Sequence, residues 1–300
     1  MKGYGIMITA RAVLDKTIVI TGATSGIGLA AAAELAGCGA SVIGVGRSQA
    51  RCSQAEDAIR KSHPDAHISY ITADLSSLGQ VKSLAGAICE KVSGEGKASV
   101  DVLVNNAGTV SSWYISTVDG FELQFAVNHL APFLLTNELM PLLQASPEGR
   151  VITVSSGSHY RTRIHWKDIL MRKHYNCLMA YKQSKLANVL FTAELNRRLG
   201  HGSAVHAYAV DPGLVNTDIG IKGTAGIERW FWKKRSRGGV KPEIAAATIA
   251  YLASVQKVGP PEEVYWKDCR PKQPSRYALR EDAAMKLWEL SERMCGIKSI

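Results

Sequence analysis

Cysteine is scarce in this sequence and never paired. Cys38, Cys52, Cys89, Cys177, Cys269 and Cys295 are the six cysteines of 300 residues, and no two form a CxxC. Scattered single thiols argue against a disulfide framework and against a cysteine-built metal site, and they suit a reducing compartment. The N-terminus lacks a long hydrophobic run: Met1–Arg11 carries one lysine and nothing of membrane-spanning length. Neither a signal peptide nor a membrane anchor is expected, which predicts a cytoplasmic protein, at most peripheral to a membrane. Acid is in deficit, with 26 Asp and Glu against 36 Lys and Arg and a formal charge of +10. Such an excess suits nucleic acid or an anionic membrane, yet no nucleic-acid motif accompanies it, and an enzyme with an anionic cofactor accounts for it equally. Internal repeats, low-complexity tracts and long Pro/Gly/Ser linkers are also missing. With 46% hydrophobic and 21% charged residues, residues 1–300 read as a single globular domain.

What is present is an alternation. From Lys16 to about residue 255, short β-rich runs ("KTIVIT", "ASVIGV", "HISYIT", "VDVLVN", "RVITVS", "AVHAYAV") are separated by helical patterns. The helices are expected over Gly26–Gly37, Arg51–Lys61, Leu78–Val92, Asp119–Gln144 and Met179–Leu199. Apolar strands alternating with helices predict an α/β doubly wound parallel sheet, the Rossmann fold, with helices on both faces and a core over 12–255. A polar, basic insertion over 157–177 and a second irregular stretch over 218–239 interrupt the pattern. The tail, 260–300, offers a strand at "EVYW" and a helix from about Arg280 to Met294, where Ala284, Leu287, Leu290 and Met294 recur at helical spacing.

The first strand runs into "TGATSGIG", placing Gly22, Gly26 and Gly28, with Ser25 and Ile27 between them, at the start of a helix. Glycine lets backbone approach a pyrophosphate closely, and a helix start offers free N–H groups and a positive dipole end. A dinucleotide site follows, since both the strand before and the helix after are there. In such folds the second strand ends at an acidic residue that accepts from the adenosine ribose, about twenty residues past the glycine loop. Here the position is Gly46, followed by Arg47. An arginine fork with no competing acid fits a 2′-phosphate, so the cofactor is read as NADP(H); the plainer alternative is an arginine that merely solvates a strand end.

Tyr181 and Lys185, in "YKQSK", stand four apart and share a helix face. A nearby ammonium favours the phenolate of a tyrosine that otherwise ionises near pH 10, which makes the pair a candidate acid/base. A hydroxyl partner is offered at a strand end by Ser155 or Ser156, which alternation puts on opposite faces.

With "TGATSGIG", "NNAG" (Asn105–Gly108) and "YKQSK" in this order, essentially the whole chain resembles the short-chain dehydrogenase/reductase family, in its TGxxxGxG branch. The resemblance implies hydride exchange between nicotinamide and a carbonyl or alcohol. It assigns Ser156 and Tyr181 to the substrate oxygen, and Lys185 to the phenolate and the nicotinamide ribose. Asn128, in "FAVNHLAPF", matches the family asparagine that holds a water in the proton path; otherwise it is a buried, internally bonded amide. Asp74 and Leu75 would contact adenine, though Asp74 could instead cap the next helix. Asn106, with Ala107 and Gly108, would line the ribose side or steady the turn. In "DPGLVNTD", Pro212 and Gly213 would line the cofactor site, and Val215 and Thr217 would hold the carboxamide. The Ser156–Tyr181 spacing is wider than the family's usual one, but retinol dehydrogenase-like members carry a similar insertion, and their tail resembles "VYWKDCRPKQPS".

A small lipophilic carbonyl or alcohol is therefore the expected substrate. The competing function is a non-catalytic NADP(H)-binding regulator on the same fold, which an intact Ser156, Tyr181 and Lys185 argue against. The resemblance leaves a homodimer open, through the helices that carry Asn128 and Tyr181. No metal is expected, because His129, His159 and His165 lack ligand spacing. The stretch 227–239, "IERWFWKKRSRGG", follows the loop where the family places a substrate lid over 218–239. It reads as a solvated lid, or as a lid that also rests on an anionic membrane with its aromatics at the interface.

Overall fold

The computed structural model describes residues 13–215, 238–256, 258 and 262–298. The chain runs β1 (Thr17–Thr21), α1 (Gly26–Gly37), β2 (Ser41–Gly46), α2 (Gln49–Ser62), β3 (Ile68–Thr72), α3 (Leu78–Gly94) and β4 (Val102–Asn105). A broken helical stretch leads to β5 (Gly149–Val154), then come α7 (Cys177–Leu199) and β6 (Val205–Val210). After the undescribed 216–237 follow α8 (Pro242–Ser254), β7 (Tyr265–Lys267), β8 (Arg270–Pro271) and α9 (Glu281–Cys295). Among the described residues eight strands form one sheet in the order β3-β2-β1-β4-β5-β6-β7-β8. Every pairing is parallel except that of β7 with β8. This is the expected doubly wound Rossmann-type fold. Alternation along β1 sends Val19 into the core on one face and Ile18 and Ile20 into that on the other. The order reverses between β1 and β4, which opens a crevice at the carboxyl ends of those strands.

The helix expected over Asp119–Gln144 is broken into pieces. Gly120 turns in the left-handed region at φ 79°. The Glu122 carboxylate then caps the start, accepting from Gln124 N at 2.9 Å and Phe125 N at 2.8 Å. The pieces are α4 (Leu123–Phe125), a π-turn over Ala126–Leu130, α5 (Ala131–Glu138) and α6 (Met140–Gln144). Two prolines explain the breaks: Pro132 has no N–H for the Asn128 carbonyl, and Pro141 has none for Asn137. Helix α8, which the strand alternation did not anticipate, starts with Pro242 at its first position and packs its alanines against those of α1.

The insertion is folded inward despite its basic composition. Gln183 of α7 accepts from His165 N at 2.8 Å and donates to the Ile169 carbonyl at 2.7 Å. Ile164, Ile169 and Leu170 are buried, and Trp166 Nε1 donates to the Tyr277 hydroxyl at 3.1 Å. Helix α9 lies on α5 and α7. Its Trp288 ring meets Phe133 edge-on at 5.0 Å and stacks on Phe191 at 5.8 Å, with the Arg198 guanidinium 4.6 Å from it. A homodimer paired through the helices carrying Asn128 and Tyr181 would have to share or displace this cover. No helix among the described residues is long and apolar enough to cross a membrane.

Truncating that anchor tests how far the tail belongs to the core. Trp288→Ala is expected to cost about 3–5 kcal/mol, the range for a fully buried large aromatic, in reversible denaturant unfolding of the full chain.

Candidate active site

The crevice is built first by Thr21, the last residue of β1. Its Oγ1 accepts from the N–H groups of Asn106 and Ala107, both at 3.0 Å, and donates to the Val104 carbonyl at 3.3 Å. Asn106 answers from the other side, its Nδ2 donating to the carbonyls of Thr21 at 2.8 Å and Gly22 at 3.3 Å. The turn after β4 is thereby sewn to the glycine loop. Gly28 lies behind this seam, where an added Cβ would sit 2.4 Å from both Asn106 Nδ2 and Gly22 O. It lets α1 approach the loop and does not itself line the cleft. Helix α1 begins with no acidic residue in its first turn and no side-chain cap, so Gly22, Ser25, Gly26 and Ile27 present backbone to a cleft of about 690 Å³.

At one end of that cleft stand Arg47 and Arg51. Gly46 cannot be exchanged for an acid without rearrangement: its Cβ would lie 2.4 Å from Thr24 Cγ2 and 2.7 Å from Cys52 Sγ. Sterics keep a carboxylate off residue 46, beside the two guanidinium groups. Asp74 and Leu75 also line this end. Asp74 does not cap α3, however. Its Oδ1 accepts from Ser76 N at 3.0 Å in a local turn, while Ser77 takes the cap position, accepting from Gln80 N at 3.4 Å.

The other end is organised by a buried lysine. Lys185 is 2% exposed, and its Nζ donates to the Val154 carbonyl at 2.9 Å. Burial pulls this ammonium down from its usual value to about 8. Asn188, three residues on, donates to the same carbonyl at 3.1 Å. Ser155 Oγ donates to the Lys185 carbonyl at 2.7 Å, so of the two adjacent hydroxyls Ser155 is spent on holding α7 to β5. Ser156 lines the cleft with Tyr181 and Lys185, its Oγ accepting from Ser158 N at 3.1 Å. The Lys185 ammonium is 5.8 Å from the centre of the Tyr181 ring, and Val110, Tyr175 and Cys177 pack beside that ring as an apolar wall.

Asn128 sits within the π-turn, wholly buried. Its Oδ1 accepts from Thr109 N at 2.7 Å, and its Nδ2 donates to Thr109 O at 3.1 Å and Ser184 Oγ at 3.0 Å. It ties the loop after β4 to α7. Ala107, Gly108, Pro212, Gly213 and Val215 line the cleft as well. Val215 pairs with Val240 across the ends of the undescribed stretch. Thr217 and the aromatic and basic run Arg229–Arg237 lie outside the described residues. Among the described residues no three His, Cys, Asp or Glu side chains gather as metal ligands. Of the histidines, His129 is buried with Nε2 2.9 Å from Ser291 Oγ, and burial depresses it to about 3.

Sequence reasoning passed over Arg51 and Thr24. Arg51 carried a readable signal, being four residues after Arg47 in the first turn of α2. Thr24 carried none, because its contact with Gly46 exists only once β2 is beside the glycine loop.

A profile of the short chain dehydrogenase family matches residues 16–226. Retinol dehydrogenase 13 of Homo sapiens is 37% identical over 291 residues, covering 95% of this chain and 86% of that protein. Retinol dehydrogenase 14 of Homo sapiens is 38% identical, covering 94% and 87%. Among solved structures, an uncharacterized protein from Mycobacterium paratuberculosis superposes with a TM-score of 0.72 at 34% identity, over 97% of this chain and 98% of that one. A short chain dehydrogenase from Escherichia coli CFT073, solved with NADPH, shares the fold with a TM-score of 0.65 at 20% identity, over 86% and 98%.

The crowding at Gly46 has a measurable consequence. Gly46→Ala should destabilise the chain by about 1–3 kcal/mol, the usual cost of overpacking. Adding Thr24→Ser, which removes the nearer methyl, should recover part of that loss in the same unfolding experiment.

Proposed function

The chain belongs to the short-chain dehydrogenase family, and we propose that it is an NADP(H)-dependent oxidoreductase acting on the carbonyl or alcohol group of a small lipophilic substrate, of the retinal, aldehyde or ketone kind. The observation that carries this reading is the meeting of Ser156, Tyr181 and Lys185 at one end of a cleft whose other end is the glycine loop. A cleft lined by glycine backbone, a helix start and two arginines fits a phosphorylated dinucleotide. Gly22, Ser25, Gly26 and Ile27 would take the pyrophosphate, Arg47 and Arg51 the 2′-phosphate, and Pro212, Gly213 and Val215 the nicotinamide end. The cofactor supplies hydride transfer when bound.

The residues divide the remaining work. Ser156, whose Oγ already accepts from Ser158 N, has its hydrogen to give to a substrate oxygen. Tyr181 exchanges a proton with that oxygen, from its own hydroxyl. Lys185 supports the phenolate left behind, and its partial burial-driven loss of charge near neutral pH is offset by the anion it faces. Asn128 holds the Thr109 main chain against α7, which fixes the floor of the cleft. Leu123, Val127 and Leu214 offer the cleft an apolar wall. Lipophilic substrates are favoured by that wall and by the retinol dehydrogenases among the relatives; NADP(H) is favoured by Arg47 and Arg51, and by an E. coli fold neighbour that was solved with NADPH.

The activity is tested by following NADPH consumption against aldehydes, ketones, quinones and retinal. Tyr181→Phe should then lose roughly 10²–10⁴-fold in turnover, the span of general acid catalysis, with NADPH binding kept; a variant retaining most of its turnover would overturn the acid/base assignment. Arg47→Asp should shift the ratio of kcat/KM from NADPH toward NADH by roughly ten- to a hundredfold, the worth of one or two charge-assisted hydrogen bonds. An unchanged ratio would transfer the role to Arg51.

A further inference from the structure

We propose that His159 is a positioning residue for Ser156: its imidazole, fixed as the Nδ1–H tautomer, ties the Ser156 carbonyl to the Ser275 amide and makes the C-terminal segment 272–275 a working part of the site. This rests on the role given to Ser156 above. His159 is wholly buried. Its Nδ1 lies 2.8 Å from the Ser156 carbonyl oxygen, and Ser275 N donates to its Nε2 at 3.0 Å. A backbone N–H can only donate, so Nε2 must present a lone pair; a carbonyl can only accept, so Nδ1 must carry the hydrogen. One neutral tautomer satisfies both ends. The other tautomer, or the imidazolium, would set an N–H against the N–H of Ser275.

The ring is held in plane by its neighbours, with the Tyr160 centroid at 4.2 Å and the Tyr265 centroid at 4.8 Å. What it fixes is the short turn Gly157–His159, closed by His159 N donating to the same Ser156 carbonyl at 3.1 Å. Ser158 N, in the middle of that turn, is the donor to Ser156 Oγ, so the turn decides where the remaining hydroxyl hydrogen points. The turn also backs onto Asp211: a Cβ on Gly157 would lie 3.2 Å from Asp211 Oδ2. Asp211 in turn accepts from Gly213 N at 3.0 Å and pairs with Lys272 at 3.5 Å. The strap therefore braces the Ser156 turn and the 212–215 loop together. The groups facing the imidazole are Asp211, which favours its charged form, Lys272, which opposes it, and the hydroxyl-bearing rings of Tyr160 and Tyr265; burial outweighs them and keeps the ring neutral.

Ser275 allows the strap to be cut without touching His159. Its φ of −64° is one that proline adopts, so Ser275→Pro deletes the N–H alone from the strap. Ser275→Ala keeps the N–H, loses only the hydroxyl that caps Ala278 N, and serves as control. Ser275→Pro should lower kcat by roughly ten- to a hundredfold, as misplacement of a reacting group does, with KM for NADPH nearly unchanged. Its kcat should also fall away at a higher pH on the acid side, because an unoccupied Nε2 binds a proton more readily. Ser275→Ala should match the wild type in both. His159→Phe, which fills the volume and makes neither bond, should lose kcat similarly, and His159→Asn, which keeps a donor toward the Ser156 carbonyl, should recover much of it. Nitrogen-15 NMR of the histidine-labelled full chain reads the tautomer without any turnover, and a protonated Nδ1 beside a bare Nε2 is expected at neutral pH. The proposal is overturned by a protonated Nε2, or by Ser275→Pro matching Ser275→Ala in kcat and in pH profile. A wild type that consumes no NADPH with any carbonyl offered would overturn the proposed activity instead, leaving the NMR result to decide the tautomer.

Discussion

A lysine ammonium buried to 2% exposure is among the costliest groups a fold can carry, and the chain meets that cost at one atom, the carbonyl oxygen of Val154. Val154 ends β5, so its carbonyl has no further strand to pair with at that edge and is free to receive Lys185 and Asn188 together. Once those two donors and the Ser155 hydroxyl have docked α7 on β5, the remaining geometry is forced. Tyr181 lies one turn before Lys185 on the same face, and Ser156 lies one residue beyond the spent Ser155. Ser156 and Tyr181, to which proton handling is assigned above as a proposal, are thus placed by the bonds that satisfy a buried charge, and not by contacts among themselves.

The opposite end of the cleft is set by shape before charge. Thr21 and Asn106 hold two strand ends together by reciprocal hydrogen bonds, and this keeps the glycine backbone open to the cleft. Beside it, Thr24 and Cys52 fill the space where a side chain on residue 46 would stand. Residue 46 can then carry no acid, and Arg47 and Arg51 stand at that corner. The proposed preference for a 2′-phosphate there would follow from an exclusion as much as from an attraction.

The insertion and the tail extend this scaffold. Gln183, on the same helix as Tyr181 and Lys185, holds the insertion by two backbone bonds, and Trp288 covers α5 and α7 from outside. Between them, β8 returns the chain antiparallel to β7 and delivers Lys272 and Ser275 beneath the Ser156 turn. The helix that carries Tyr181 and Lys185 is therefore braced both by the earlier β5 and 123–130 segments and by the insertion and the tail.

Much of this was legible in one dimension. The glycine loop, the Arg47 that replaces an acid, and the Tyr181–Lys185 pair are local patterns, because the backbone turn or the helix period that gives them meaning spans only a few residues. The parallel sheet was readable for the same reason, from strands apolar on both faces. The breaks at Pro132 and Pro141 were locally encoded too, but the apolar periodicity of 119–144 masked them. Other features belonged to tertiary structure alone. Which of Ser155 and Ser156 keeps a hydroxyl hydrogen for the cleft was decided by where α7 sits, and the exclusion of a side chain at residue 46 by Thr24, far from it in sequence. The tautomer of His159 was decided by an amide 116 residues away. Sequence specifies what each short segment can do with its own backbone; which hydrogen-bonding group is left over for chemistry depends on partners that only the closed fold brings within 3 Å.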